Sequence, residues 1–414
     1  MREMKDSGIE WVGTIPQDWQ LSKIGNLYTQ RNEKVSDKDY QPLSVTMQGI
    51  LPQLATAAKT DDGDNRKLVR VGDFAINSRS DRRGSCGISP LDGSVFLINI
   101  ILTPRTAMHP GYHNWLFHTT LFADEFYKWG HGIVADLWTT RWQEMKSITV
   151  PVPEYAEQER IAAFLDAECA EIDAVLEKTR ASIEEYKKLK QAVITQAVTK
   201  GVRGDRPMKD SGIEWIGDIP AEWDVLNLVA HTSMLTPMRD RPENLDGPIP
   251  WVRIEDFEGK YIESSKAGLG VSMKTVKEMN LKVYPVGTIL CTSSCIMGKC
   301  AIVSRELVSN QRFIGIIPDR TTDKTYLYYL MTSNAERMNF LSTGALQANL
   351  SRSAFEHLKV QFPPYSEQQE IAAYLDDKCE KIDELILKKQ QYLTEIENYK
   401  KSLIYEYVTG KREV

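Results

Sequence analysis

Few side chains in this chain that could do covalent or metal chemistry stand at spacings that would allow it. The six cysteines are Cys86, Cys169, Cys291, Cys295, Cys300 and Cys379. The middle three are spaced CxxxCxxxxC with no fourth ligand nearby, whereas zinc sites favour tighter CxxC pairs. The surrounding TILCTSSCIMGKCAIV reads better as strand, turn, strand, so no metal site is expected. Cys169 and Cys379 suit small buried positions on helices. None of the six histidines falls in an HExxH arrangement. Gly298-Lys299 and Gly410-Lys411 lack the upstream glycine and following Ser/Thr of a phosphate-binding loop. Scattered acids such as Asp81 or Asp256 do not define a nuclease site.

The organisation that holds these residues is a repeat. Met4–Trp19 reads MKDSGIEWVGTIPQDW, and Met208–Trp223 reads MKDSGIEWIGDIPAEW. Twelve of the sixteen positions are identical, at an offset of 204. A second phrase recurs at an offset of 210: EQERIAAFLD from Glu157 to Asp166, and EQQEIAAYLD from Glu367 to Asp376. One long period means a structural unit written twice in tandem. Residues 24–135 and 228–345 share no convincing register, so one frame carries two different inserts.

At 414 residues the chain exceeds one core, and 42% hydrophobic with 26% charged residues is ordinary globular composition. No apolar run of about 18 residues exists, so no membrane helix is expected. The start, MREMKDSGIEW, has no apolar core of a signal sequence, and cytoplasmic placement is the expectation. The net charge of −6 sits mostly in the helical phrases, which does not suit a protein that coats nucleic acid indiscriminately.

Apolar residues at three–four spacing run from Glu157 to Thr199 (Ile161, Leu165, Ile172, Leu176, Ile183) and from Glu367 to Thr409 (Ile371, Leu375, Ile382, Ile386, Ile396). The pattern predicts two long amphipathic helices packed antiparallel as a short coiled coil. Prolines precede each and Gly201 and Gly410 follow. Ser366 with Gln369 has the form of a capping box. The inserts read as α/β-mixed. Expected strands are 68–71, 74–76 and 95–102 in the first, with 249–254, 288–291 and 301–303 in the second; helices are expected over 112–129 and 326–340. At the ends of the inserts, Gly132, Leu137, Trp142 and Met145 match Gly344, Leu350, Phe355 and Leu358.

The order of opening phrase, insert and long helix, twice over, resembles the specificity subunit of a type I DNA restriction–modification system. The SGIEW–IP–W opening, the EQ–IAA–LD helix start and the VTKG/VTGK helix ends carry the resemblance over the whole chain. Trp251-Val-Arg-Ile-Glu-Asp-Phe-Glu-Gly259 resembles the opening of a target-recognition domain, where the first insert instead has Pro42-Leu-Ser-Val45. The resemblance implies an α+β fold. It is a tandem pseudo-twofold repeat of two α/β-mixed target-recognition domains joined by two long antiparallel helices. The expected segments are 1–155, 156–203, 204–365 and 366–414. It further implies double-stranded DNA, two copies of a DNA-adenine methyltransferase subunit and restriction/translocase subunits as partners. S-adenosylmethionine, ATP and magnesium would belong to those subunits.

The chain itself reads as non-catalytic. Phe362-Pro-Pro-Tyr365 has Phe where a base-modifying Asn/Asp-Pro-Pro-Tyr/Phe motif needs an amide or acid, and it aligns with Val152-Pro-Glu-Tyr155 of the frame. For sequence reading, donors and acceptors must reach base edges while cations hold phosphates. The candidates are Arg79, Arg82 and Arg83 in NSRSDRRGS, with Trp138 and Arg141 further on. In the second insert they are Ser293, Ser294 and Lys299 in TSSCIMGK, and Gln347, Asn349, Ser351 and Arg352 in LQANLSRS. Trp11, Trp19, Trp215 and Trp223 read as core or partner-interface anchors. Two alternatives stand beside this reading: a stand-alone two-reader DNA-binding regulator, and a structural coiled-coil assembly protein without DNA binding.

Overall fold

Each opening phrase closes into a short antiparallel hairpin, because its glycines supply the backbone turns. Met4–Asp6 pairs with Thr14–Pro16, and Met208–Asp210 pairs with Asp218–Pro220 in the same register. Gly13 and Gly217 sit at φ 71° and 70°, a conformation that side-chain-bearing residues rarely adopt. The computed structural model describes residues 2–53, 63–132, 138–237, 240–294, 298–341 and 350–414.

The helical phrases begin two helices, Tyr155–Lys200 of 46 residues and Tyr365–Val408 of 44 residues. Both are longer than expected. The second starts one residue before Ser366, so that serine lies inside the helix and does not cap it. The recurring glutamine closes the start instead. Gln158 Nε2 donates to Pro153 O at 2.9 Å while its Oε1 accepts from His109 N–H at 3.0 Å. Gln368 makes the same pair with Pro363 O at 2.9 Å and Asp323 N–H at 2.8 Å.

The chain divides into two compact units, each completed by the end of a long helix. Residues up to 180 join 390–414 in one unit, and 181–389 form the other. In the first, Leu403, Tyr407 and Val408 enter the same core as Trp19, Tyr112, Phe117 and Ile161. In the second, Ile194, Ala197 and Val198 pack with Trp223, Tyr326, Phe355 and Ile371. Within each unit the helix segments run antiparallel and are pinned by ion pairs. Asp173–Lys400 and Arg180–Glu397 lie at 2.6 Å in the first, and Lys190–Asp383 at 2.6 Å in the second. Cys169 and Cys379 are buried on these helices, as expected from sequence.

The inserts differ in sequence but share a sheet. In the first unit the order is Cys86–Ile88, Phe74–Asn77, Asn99–Pro104, Tyr28–Arg31, all antiparallel neighbours. In the second the order is Cys300–Val303, Ile289–Thr292, Phe313–Pro318, Thr232–Leu235, again antiparallel, with Tyr261–Ile262 added in parallel at one edge. Cys291 and Cys300 face each other across this sheet, so the two strands of that reading hold, while Cys295 lies outside the described residues. The segment at Pro42, which departs from the second opening, still occupies its place: Pro42 bridges Ser94 in parallel, as Trp251 does Val308.

Three expectations need correction. The helices expected over 112–129 and 326–340 each break into two, Pro110–Phe117 with Thr120–Lys128 and Lys324–Ser333 with Ala335–Leu341. In the first, Thr119 Oγ1 accepts from Phe122 N–H at 3.2 Å and so caps a new helix. The stretch 95–102 is two strands, Gly93–Phe96 and Asn99–Pro104, joined by a turn. The returning frame is also three residues out of the expected match. Ile24 N–H donates to Ile148 O and Leu228 N–H to Leu358 O, both at 2.9 Å. Ile148 therefore matches Leu358 and Met145 matches Phe355; Leu137 and Gly344 lie outside the described residues.

Candidate nucleic-acid interface

The two recurring phrases, far apart in sequence, meet at one contact, half-buried in the first unit and buried in the second. Trp19 Nε1 donates to Glu157 Oε2 at 3.0 Å, and Trp223 Nε1 donates to Glu367 Oε2 at 3.0 Å. An arginine completes each set: Arg2 binds Glu157 and Asp18, and Arg206 lies 2.6 Å from Glu367 and 3.0 Å from Glu222. The glutamate of the helical phrase thus ties the opening tryptophan to the long helix in both units. Trp11 is also core, edge-on to Phe122 at 6.0 Å. Of the two placements expected for it, Trp215 is not core: it is 42% exposed and carries the Arg337 guanidinium at 3.8 Å.

On this frame the first set of candidates converges. The hairpin loop between Phe74–Asn77 and Cys86–Ile88 contains Arg79, Arg82 and Arg83. Ser80 N–H donates to Trp138 O at 3.0 Å, Arg79 bridges Thr139, and Thr140 N–H donates to Ser78 O at 3.0 Å. Trp138 Nε1 donates to Tyr127 O at 2.8 Å, and the Tyr127 hydroxyl donates to Asn77 O at 3.0 Å. Burial holds that phenol well above its ordinary range, so it stays a neutral donor. Trp138 is therefore a half-buried prop and not a free stacking platform. Arg141 caps the short helix Trp142–Met145, its N–H donating to Glu144 Oε2 at 3.0 Å while its side chain is exposed.

The loop cations face acids. Arg79 is 3.4 Å and Arg82 3.9 Å from Asp81, and Arg83 is paired with Asp124. Exposed pairs of this kind are worth at most about 1 kcal/mol. A phosphate or guanine edge can replace the carboxylate at little expense.

The second set assembles at the matching hairpin, between Ile289–Thr292 and Cys300–Val303. Leu350 N–H donates to Ser293 O at 2.9 Å, the counterpart of Thr140 on Ser78. Ser293 itself is buried and Ser294 is half-buried. Gly298 sits at φ 75°, and a Cβ there would meet Ala335 at 2.3 Å, so turn and packing explain this glycine. Lys299 is exposed, its ammonium 5.9 Å from the Phe257 ring centre and 3.5 Å from Ile254 O. Ser351 caps the helix Arg352–Glu356 through Ala354 N–H, and Arg352 is paired with Glu356 at 2.7 Å. Gln347 and Asn349 lie outside the described residues.

One stretch beside this turn escaped the sequence reading. Ser293 N–H donates to Arg312 O at 2.8 Å, placing Asn310-Gln311-Arg312 at the mouth of the second loop. The polar run before the apolar FIGIIP strand was the available signal. Among the described residues no group of His, Cys, Asp or Glu could hold a metal ion, and no helix is long and apolar enough to cross a membrane.

Residues 224–398 match the type I restriction modification DNA specificity domain family. Three relatives from Methanocaldococcus jannaschii are similar. The type I restriction enzyme MjaIX specificity subunit is 36% identical over 40% of each chain. The putative type I restriction enzyme MjaX specificity subunit is 26% identical over 97% of this chain and 96% of its own, and the MjaVIII specificity subunit 22% over 97% and 94%. Among solved structures, one described as the structural basis of complex assembly and conformational transition of the type I R-M system aligns with a TM-score of 0.75. Its identity is 13%, over 96% of this chain and 99% of that one. The HsdS subunit from Thermoanaerobacter tengcongensis aligns with a TM-score of 0.53 at 15% identity, over 96% and 98%.

Proposed function

Because the chain belongs to the specificity-subunit family of type I restriction–modification systems, we propose that its two units read the two unlike halves of a bipartite DNA target. It is a targeting subunit for sequence-specific DNA recognition, without catalysis of its own. The observation that carries the two-reader reading is one sheet order bearing two unlike hairpins, Phe74–Asn77 with Cys86–Ile88 and Ile289–Thr292 with Cys300–Val303. The frame fixes where each loop stands; the loop residues differ, so each reads its own bases.

The recognition task divides by residue type. Arg79, Arg82, Arg83 and Lys299 exchange their present partners for phosphate or base edges, while Arg141 supplies a further exposed cation. Trp138 and Ser293 hold the loops in place. The long helices carry the assembly. A frame repeated in both units suits two copies of one partner, a DNA-adenine methyltransferase subunit, with restriction/translocase subunits added through it. S-adenosylmethionine, ATP and magnesium act on those subunits, in the cytoplasm. Nothing observed favours the regulator or the purely structural alternative.

Exchanging residues 24–140 for the matching insert of a relative tests this reading. Methylation mapping should show one half of the target changed and the other kept. If both halves change, the readers are not modular and the reading fails.

A further inference from the structure

Resting on that reading, we infer that Gln311 and Arg312 read adjacent base pairs in the half-site of the second unit. These residues lie ahead of the strand Phe313–Pro318, which occupies a central place in the second sheet. Three segments converge there on Ser293. Its N–H donates to Arg312 O at 2.8 Å, its carbonyl accepts from Leu350 N–H at 2.9 Å, and it opens the hairpin loop itself.

The backbone at this point is held while the side chains are presented. Asn310 Oδ1 accepts from Arg312 N–H at 3.1 Å, and Ser309 Oγ donates to Asn310 O at 3.1 Å. Ser309 in turn is buried and hydrogen-bonded to the Tyr284 hydroxyl at 3.1 Å. Gln311 and Arg312, by contrast, are both exposed. A side chain on a fixed backbone loses less freedom on contact than one on a loose loop, which favours selective reading.

Charge separates Arg312 from the arginines of the first hairpin loop and from its neighbour Arg352, and leaves it, like Arg141, unpaired among the described residues. Arg79, Arg82, Arg83 and Arg352 each face a carboxylate. Arg312 has no ion-pair partner among the described residues. Its guanidinium is available without displacing an acid. The residue types match base edges: arginine pairs in two places with guanine O6 and N7, glutamine with adenine N6 and N7. The first unit has nothing of the kind. There the matching position is Ile98, whose carbonyl accepts from Ser78 Oγ at 2.6 Å, preceded by Leu97. The effect must therefore be confined to one half of the target.

The test uses the full chain assembled with its methyltransferase subunits and a randomised DNA library, with bound molecules sequenced. Unaltered protein, Arg312→Lys, Arg312→Ala and Gln311→Ala are compared, each checked by thermal unfolding. Arg312→Lys keeps the charge but not the two-point geometry. It should relax one position of one half-site, with affinity for the original site falling about tenfold to hundredfold. Gln311→Ala should relax the neighbouring position. An unchanged consensus with uniformly weaker, less salt-dependent binding for Arg312→Ala marks a phosphate contact and overturns the inference. So does relaxation in both halves. A consensus from unaltered protein that is not bipartite overturns the recognition reading, and this inference with it.

Discussion

Acidification should weaken the first unit through a single imidazole. His113 lies on the helix Pro110–Phe117, is fully buried, and is ringed by Tyr112 at 5.4 Å, Phe117 at 5.6 Å and Tyr28 at 5.9 Å. Burial, with His109 nearby, pushes its pKa down from 6.5 to about 4. Between those values the unfolded chain takes up a proton that the folded chain refuses. The contribution is therefore fully present above pH 6.5, shrinks as pH falls, and is gone below about pH 4. The full span is about 3 kcal/mol, of which about 2 kcal/mol is lost between pH 7 and pH 5. His113→Phe keeps an aromatic ring in the site and removes the titration. Urea unfolding of both proteins at pH 7 and pH 5 isolates the effect, because all other groups titrate alike. The stability difference between them should move by about 2 kcal/mol in favour of the variant at pH 5, or several degrees in melting temperature. A difference that stays constant across this range would refute a buried neutral imidazole.

The frame contact should be sensitive to its buried acid: Glu367→Gln removes the buried partner of Arg206, which keeps only the exposed Glu222, and should cost roughly 2 kcal/mol in denaturant unfolding. Trp223 fluorescence during the transition would locate the loss to that unit. The helix ends should also be indispensable. Residues 2–180 alone lack Leu403, Tyr407 and Val408, whose burial is worth roughly 5 kcal/mol, about a whole domain's stability. That fragment should not fold, whereas one with 390–414 joined ahead of residue 2 should, by circular dichroism and amide exchange; equal folding of both would refute it.

How much of this was legible depended on whether the signal was local. The long helices were read from their apolar spacing, and their ends from Gly201 and Gly410, because periodicity and helix caps are written within a few residues. The role of Glu157 and Glu367 was not. Both phrases were visible as repeats, but the indole–carboxylate contact joins Trp19 to Glu157 across the whole insert, and no local pattern encodes it. The strand Phe313–Pro318 is buried and apolar, so it lacks the alternation that marks a half-exposed strand, whereas its counterpart Asn99–Pro104 was legible within 95–102 but not the turn ahead of it. Arg79, Arg82 and Arg83 share one loop in the first unit because they cluster within NSRSDRRGS. In the second unit nothing local links Arg312 to Ser293, since the two come together only in three dimensions.

Two unlike readers on one frame, as proposed, should recognise two unlike half-sites. Sequencing the DNA selected by the full chain with its methyltransferase subunits, before and after replacing Arg79, Arg82 and Arg83 together by alanine, tests it most directly. A two-part consensus with a fixed gap is expected, degraded in one part only by the triple replacement. A single continuous motif, or equal loss in both parts, would contradict it.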